Sequence, residues 1–180
     1  MLSDEEVKKC WEFAHQVTEL RKDSYLKKDP TRSIEKMIEH HAIGKMVEFW
    51  VHHWFEERGH VVSKPDLSIK GKNDFDADLH VLGKGINLHV KHTKPFFSSW
   101  LFDKNDPIVI NPSTNDFLVL CTFHSGKHIQ VNSVTSAGNN NFFPPIKSHI
   151  KDKVGLYWHH GNGRLCQTQE EFEETTKRKV

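Results

Sequence analysis

The chain lacks most of the features that would place it in a class at once. Its three cysteines, Cys10, Cys121 and Cys166, are scattered through 180 residues and form no C-x-x-C pair. That spacing argues against a disulfide framework and against a cysteine zinc site, and free thiols suit a reducing interior. No apolar run approaches the roughly 20 residues of a membrane span. The opening Met1-Leu-Ser-Asp-Glu-Glu lacks the charged and apolar blocks of a secretion signal. A cytoplasmic or otherwise intracellular protein is expected. Charge of one sign is missing too: the net charge is +1, so no global basic field announces a nucleic-acid partner. Apolar residues are scarce at 36%, yet twelve Phe and five Trp bury large areas each. A core for one domain is within reach. No repeat or low-complexity tract divides the chain.

What is present begins with helices. Ser3 and Glu6 form a capping box that opens a helix over about residues 4–27. Asp29-Pro30 is a break, and a long helix follows to about Arg58, with Gly59 as its stop. A strand is expected at His60–Pro65. Residues 97–104 read as a short aromatic helix or turn, 116–124 as a central strand, and 127–134 as another strand. A region starting at Pro144-Pro145 reads as helical through Val154, and Thr168 caps a last helix. The expected fold is α/β: a central mixed β-sheet of about four to five strands flanked by helices. The chain reads as one domain, with a helical extension at 1–29, a core at 30–135 and a C-terminal extension at 136–180.

Residues 76–91 carry the chemistry. They read as two strands joined by Gly83-Lys84-Gly85. Side chains alternate faces along a strand, so Ala77, Leu79, Val81, Ile86, Leu88 and Val90 form apolar rows. Asp76, Asp78, His80, Asn87, His89 and Lys91 then share the polar face. Carboxylates gather hard cations, and a nearby lysine orients water or offsets developing negative charge. This is the outline of a metal-dependent phosphodiester-cleaving site.

The stretch from Gly44 to Lys91 resembles the PD-(D/E)XK nuclease superfamily, which includes restriction and homing endonucleases. The resemblance rests on an ordered set: the helix segment Gly44-Lys-Met-Val-Glu48, the strand-like Val61-Val-Ser-Lys-Pro, Asp78, and His89-Val-Lys91 eleven residues later. Ser99-Trp-Leu-Phe and the strand at 116–124 then fit the following helix and fourth strand. The resemblance implies a restriction-endonuclease-like core with Asp78, His89, Glu48 and Asp76 around Mg²⁺ or Mn²⁺. Glu48, Asp78, His89 and Lys91 would be the catalytic set. It also implies double-stranded DNA as substrate, and a homodimer or higher homo-oligomer, because cutting two strands takes two sites. The central acid of the pattern is replaced by His89, which brings no negative charge to a Mg²⁺ site.

Lys64, Lys70, Lys72 and Lys94 are candidate phosphate contacts, and Asn140, in the run Asn139–Asn141, is a candidate reader of base edges. A solvated basic surface and a plain polar loop are the competing readings. Phe96, Phe97, Trp100 and Phe102 suit either base stacking or core packing. Two alternatives to an endonuclease stand beside it. One is a catalytically inactive DNA-binding protein on a nuclease scaffold, motivated by His89. The other is a histidine-rich zinc-binding protein, since fourteen histidines include His40-His41, His52-His53 and His159-His160. Adjacent residues diverge on a helix, so these pairs read first as surface or packing groups.

Overall fold

A computed structural model describes residues 1–28, 31, 33–69, 77–97, 99–125, 128–145, 152–159 and 162–177. Helix α1 spans Asp4–Lys28 and α2 spans Ile34–Glu56. The capping box forms at the start of α1: Ser3 Oγ accepts from the Glu6 amide at 3.2 Å, and the Ser3 amide donates to Glu6 Oε2 at 2.8 Å. Ser33 caps α2 by accepting from the Lys36 amide. Gly59 follows α2 with φ of +79°, the left-handed conformation that lets a helix stop.

The strands are β1 (Leu79–Val81), β2 (Ile86–Thr93), β3 (Ser99–Asp103), β4 (Asp116–Ser125), β5 (His128–Ser136), β6 (Lys153–His159) and β7 (Arg164–Leu165). A single helical turn, α3 (Pro107–Ile110), follows β3, and α4 (Gln169–Lys177) is the last described element. The main sheet has the order β1-β2-β4-β5. It is mixed, because β2 and β4 run parallel while β1–β2 and β4–β5 are antiparallel. The fold is therefore α/β, with a four-stranded mixed sheet and a helical layer.

Two cores sit on opposite faces of that sheet. On one face Val47 and Val51 of α2 pack with Leu79, Leu88, Val119 and Cys121. On the other, Leu118 and Leu120 pack with Trp100, Phe102 and Leu156. Strand β4 thus feeds both cores with alternate residues, which is why its sequence is a nearly unbroken apolar run. Cys10, Cys121 and Cys166 are buried free thiols. No helix among the described residues is long and apolar enough to cross a membrane.

Three expectations change. Within the segment 97–104, Ser99–Asp103 form the strand β3, not a helix or turn. Trp100 and Phe102 are buried while Leu101 and Asp103 point out, a period of two. Residues 153–154, expected at the end of a helix, open β6, and β3, β6 and β7 form a second sheet. That sheet covers the far face of the main one, where the family pattern would place a helix. The segment after Gly59 is only one rung long: Val62 bridges Val81, and the Ser63 amide donates to the His80 carbonyl.

Gly155 gives this packing a test. A Cβ there would lie 2.8 Å from Cε2 of Tyr157, a ring that is 1% exposed. Overpacking of that kind destabilises by about 1–3 kcal/mol. Gly155→Ala is expected to lower the urea midpoint accordingly, and an unchanged midpoint would show that the β6 ring yields freely.

Candidate active-site cleft

Strand β1 begins only at Leu79, so beyond Leu88 the edge of β2 has no strand partner on that side. Asp78 caps the exposed edge: its Oδ2 accepts from the Val90 amide at 2.7 Å. The bond fixes the carboxylate beside β2 and leaves its other oxygen to a ligand. A cleft of about 720 Å³ opens here, between the helices and the edge of the sheet. Glu48, Asp78 and Lys91 all line it. Three groups separated by up to 43 positions in sequence (Lys91 against Glu48) are brought to one surface.

Glu48 is a buried carboxyl with its pKa raised. It is 7% exposed, on the face of α2 that meets the sheet. Burial, and then the negative charge of Asp78, push its carboxyl up from 4.5 to about 8, against the pull of Lys45 and Lys91. At neutral pH and without a bound cation Glu48 is therefore mainly protonated. Lys45, one turn earlier, donates from Nζ to Glu48 Oε2 at 2.7 Å. The Lys91 ammonium stands 5.5 Å from the centre of the Phe102 ring, which holds it at the mouth of the second core.

His89 does not line the cleft. Continuing the hairpin register of Leu79 with Leu88 places it opposite Asp78. Its Nε2 lies 3.4 Å from Asp116 Oδ1. Asp116 also accepts from Asn87 Nδ2 and from the Ser113 amide, each at 2.8 Å. Burial works to raise the Asp116 pKa, but these bonds and His89 outweigh it and hold the carboxylate low. The nitrogen of His89 left for any cation is Nδ1.

Asp76, Lys70 and Lys72 lie outside the described residues, as does His160. Lys64 is exposed, and Lys94 lines a neighbouring cavity of about 460 Å³ that shares His40 and His92 with the main cleft. His92 itself is held neutral, its pKa brought down to about 4 by burial and then by His40, Lys91 and Lys94. Asn140 donates to the Ser136 carbonyl at 2.6 Å, which commits its amide group to its own loop. Trp100 and Phe102 are core residues, while Phe96 and Phe97 are exposed at 91% and 49%. Gly44 is not a point of close approach for the sheet. A Cβ at this position would meet nothing within 4 Å, and the residue faces the open cleft instead.

The sequence reading missed Lys45 and the part played by α1. Phe13, Val17, Arg21 and Tyr25 of α1 wall the cleft, so the first helix belongs to the site as well as to the core. Lys45 was legible as a residue three positions before Glu48, on the same helical face.

The fixed charges of the lining decide what it attracts. With Glu48 mainly neutral, Arg21, Lys45, Lys91 and Lys153 face the charges of Asp66, Asp78 and Asp103, and Lys153 with Asp103 already form a 2.7 Å pair. A divalent cation between Glu48 and Asp78 would make the lining more positive and favour a phosphate anion. No protein-family model, curated protein or solved structure matches the chain.

Proposed function

We propose that this protein is a metal-dependent endonuclease that hydrolyses phosphodiester bonds in DNA. The observation that carries the reading is the convergence of Glu48, Asp78 and Lys91 on one cleft. The residues themselves supply cation and phosphodiester chemistry. Duplex DNA as substrate, a site-specific enzyme of the homing or restriction type, and a homo-oligomer with two sites are taken from the superfamily resemblance.

In this mechanism Asp78 would hold Mg²⁺ or Mn²⁺ directly. Glu48 would join it after giving up its proton, so that cation binding and deprotonation would be one event. A cation held there would supply polarisation of the phosphate and a lowered pKa for an attacking water. Lys91 stabilises the charge that develops on the phosphorus oxygens. Lys45 keeps Glu48 oriented. His89 can reach the site only through Nδ1, with Asp116 fixing the ring from the far side.

Cleavage of a panel of linear duplex, supercoiled plasmid, branched DNA and RNA with Mg²⁺ and with Mn²⁺ tests the reading. Plasmid nicking or linearisation that stops on chelation is the expected result. His89→Asp is expected to raise Mg²⁺-supported activity, because it restores a negative ligand opposite Asp78; unchanged metal preference would remove His89 from the site.

One observation favours a second reading. His89 bonds to Asp116 and does not line the cleft, which favours a DNA-binding protein without catalysis. Binding of duplex with no cleavage under either metal would select it.

A further inference from the structure

One turn beyond Glu48 on α2, a second constellation faces α1. His52, His53 and Glu56 each offer a donor atom, and the three atoms lie within 4.8 Å of one another. None of these residues lines the cleft. His52 Nε2 is 3.2 Å from Glu56 Oε2, and His53 Nδ1 is 3.6 Å from the same oxygen. Bonds of about 2.0–2.1 Å in a tetrahedral ion put neighbouring donors roughly 3.4 Å apart. The two spacings to Glu56 are close to that edge length, and the two histidine donors lie within 4.8 Å of each other.

The orientation of His53 supplies the independent support. Its Nε2 lies 2.8 Å from Glu6 Oε1 of α1. A proton on Nε2 is donated to that carboxylate, which leaves Nδ1 with a lone pair on the side of Glu56. This is the carboxylate–histidine arrangement that orients metal ligands. Glu6 is in turn anchored by the Ser3 amide, which donates to its other oxygen at 2.8 Å. The capping box of α1 therefore sets the tautomer of a histidine on α2. His52 is 3% exposed and its Nδ1 has no hydrogen-bond partner among the described residues, so the ring is held by packing. Glu56 is about half exposed, which leaves the ion a solvent-facing fourth position.

We propose that His52 Nε2, His53 Nδ1 and Glu56 bind one zinc ion, with Glu6 as the residue that positions His53. Two imidazoles and a carboxylate suit zinc, whereas an oxygen-seeking Mg²⁺ has little use for them. The ion joins α2 to α1 through the Glu6–His53 bond, and so braces the helical wall of the cleft.

The test uses the full chain, stripped with chelator, in an Asp78→Asn background so that the cleft carboxylate pair holds no cation. Zinc is titrated by calorimetry and cobalt(II) by absorbance. The expected result is one zinc per chain at micromolar affinity or tighter, with the intense visible bands of tetrahedral cobalt. His53→Gln and Glu56→Gln should each weaken zinc about 100-fold, and Glu6→Gln about 10-fold or more. Glu56 is surface-exposed, so its variant keeps the fold, which circular dichroism of the metal-free protein checks. No zinc uptake at micromolar concentration, or uptake unchanged in all three variants, would overturn the proposal. Because cleavage is not the readout, its outcome is separate from that of the endonuclease reading.

Discussion

Asp78→Asn is expected to reduce metal-dependent cleavage by roughly 10³-fold or more while leaving the fold intact. Of the described residues 77–93, Asp78 is the one acidic group that lines the cleft. An asparagine oxygen can still accept from the Val90 amide, so the edge of β2 stays capped. What is lost is the negative charge that holds the cation. Lys91→Ala should lower turnover by about 10²–10³-fold with little change in metal affinity, since the ammonium acts on the transition state. The pair of outcomes separates a ligand from a charge stabiliser. Near-wild-type turnover in Asp78→Asn would remove the site.

Glu48→Gln is expected to do two opposite things: weaken cation binding and stabilise the metal-free fold at alkaline pH. Burial and Asp78 raise the folded-state pKa of Glu48 to about 8, against about 4.3–4.5 in an unfolded chain. Between those values the folded state holds the extra proton. Stability contributed by the neutral group is fully present below about pH 4.5 and is lost as pH rises through 8. A glutamine keeps the neutral form at every pH. At pH 9 in chelator the variant should therefore be more stable by roughly 4–5 kcal/mol, the opposing pull of Lys45 being already contained in the raised pKa. At pH 4 the two proteins should unfold at similar urea concentrations. Equal stability at both pH values would mean that Glu48 is solvated, and the cleft would lose its buried acid.

The main sheet was readable because its signals are local. Ser3 with Glu6 and Gly59 mark helix ends by backbone chemistry alone, and the run Phe117–Thr122 is apolar because β4 is covered on both faces. The glycines of the hairpin, Gly83 and Gly85, adopt φ of +76° and +63°, so the turn was visible too. The second sheet was not. Phe97–Lys104 carries aromatics that fit a helix or a strand, and only the partner strand β6 settles the matter. That strand follows a Pro-Pro pair that suggested a helix start. Of the residues that line the cleft, Asp78 and Lys91 were legible through strand alternation, and Glu48 only through the superfamily resemblance, since on its own it reads as one charged helix residue among many. The convergence of His52 with His53 was not legible, since neighbours on a helix ordinarily diverge; here the two rings lie 5.2 Å apart, each with a nitrogen near Glu56 Oε2. Nor was the turn of His89 toward Asp116, which depends on a parallel pairing of β2 with β4 that no local pattern announces.

The central claim is that a helix carboxylate and a hairpin carboxylate share one cation. Electron paramagnetic resonance of Mn²⁺ titrated into the chelator-stripped chain, with the His52–Glu56 cluster saturated by zinc, measures it directly. One bound Mn²⁺ in the wild type, lost in both Glu48→Gln and Asp78→Asn, is the predicted result. Mn²⁺ bound with the same affinity in both variants would contradict it.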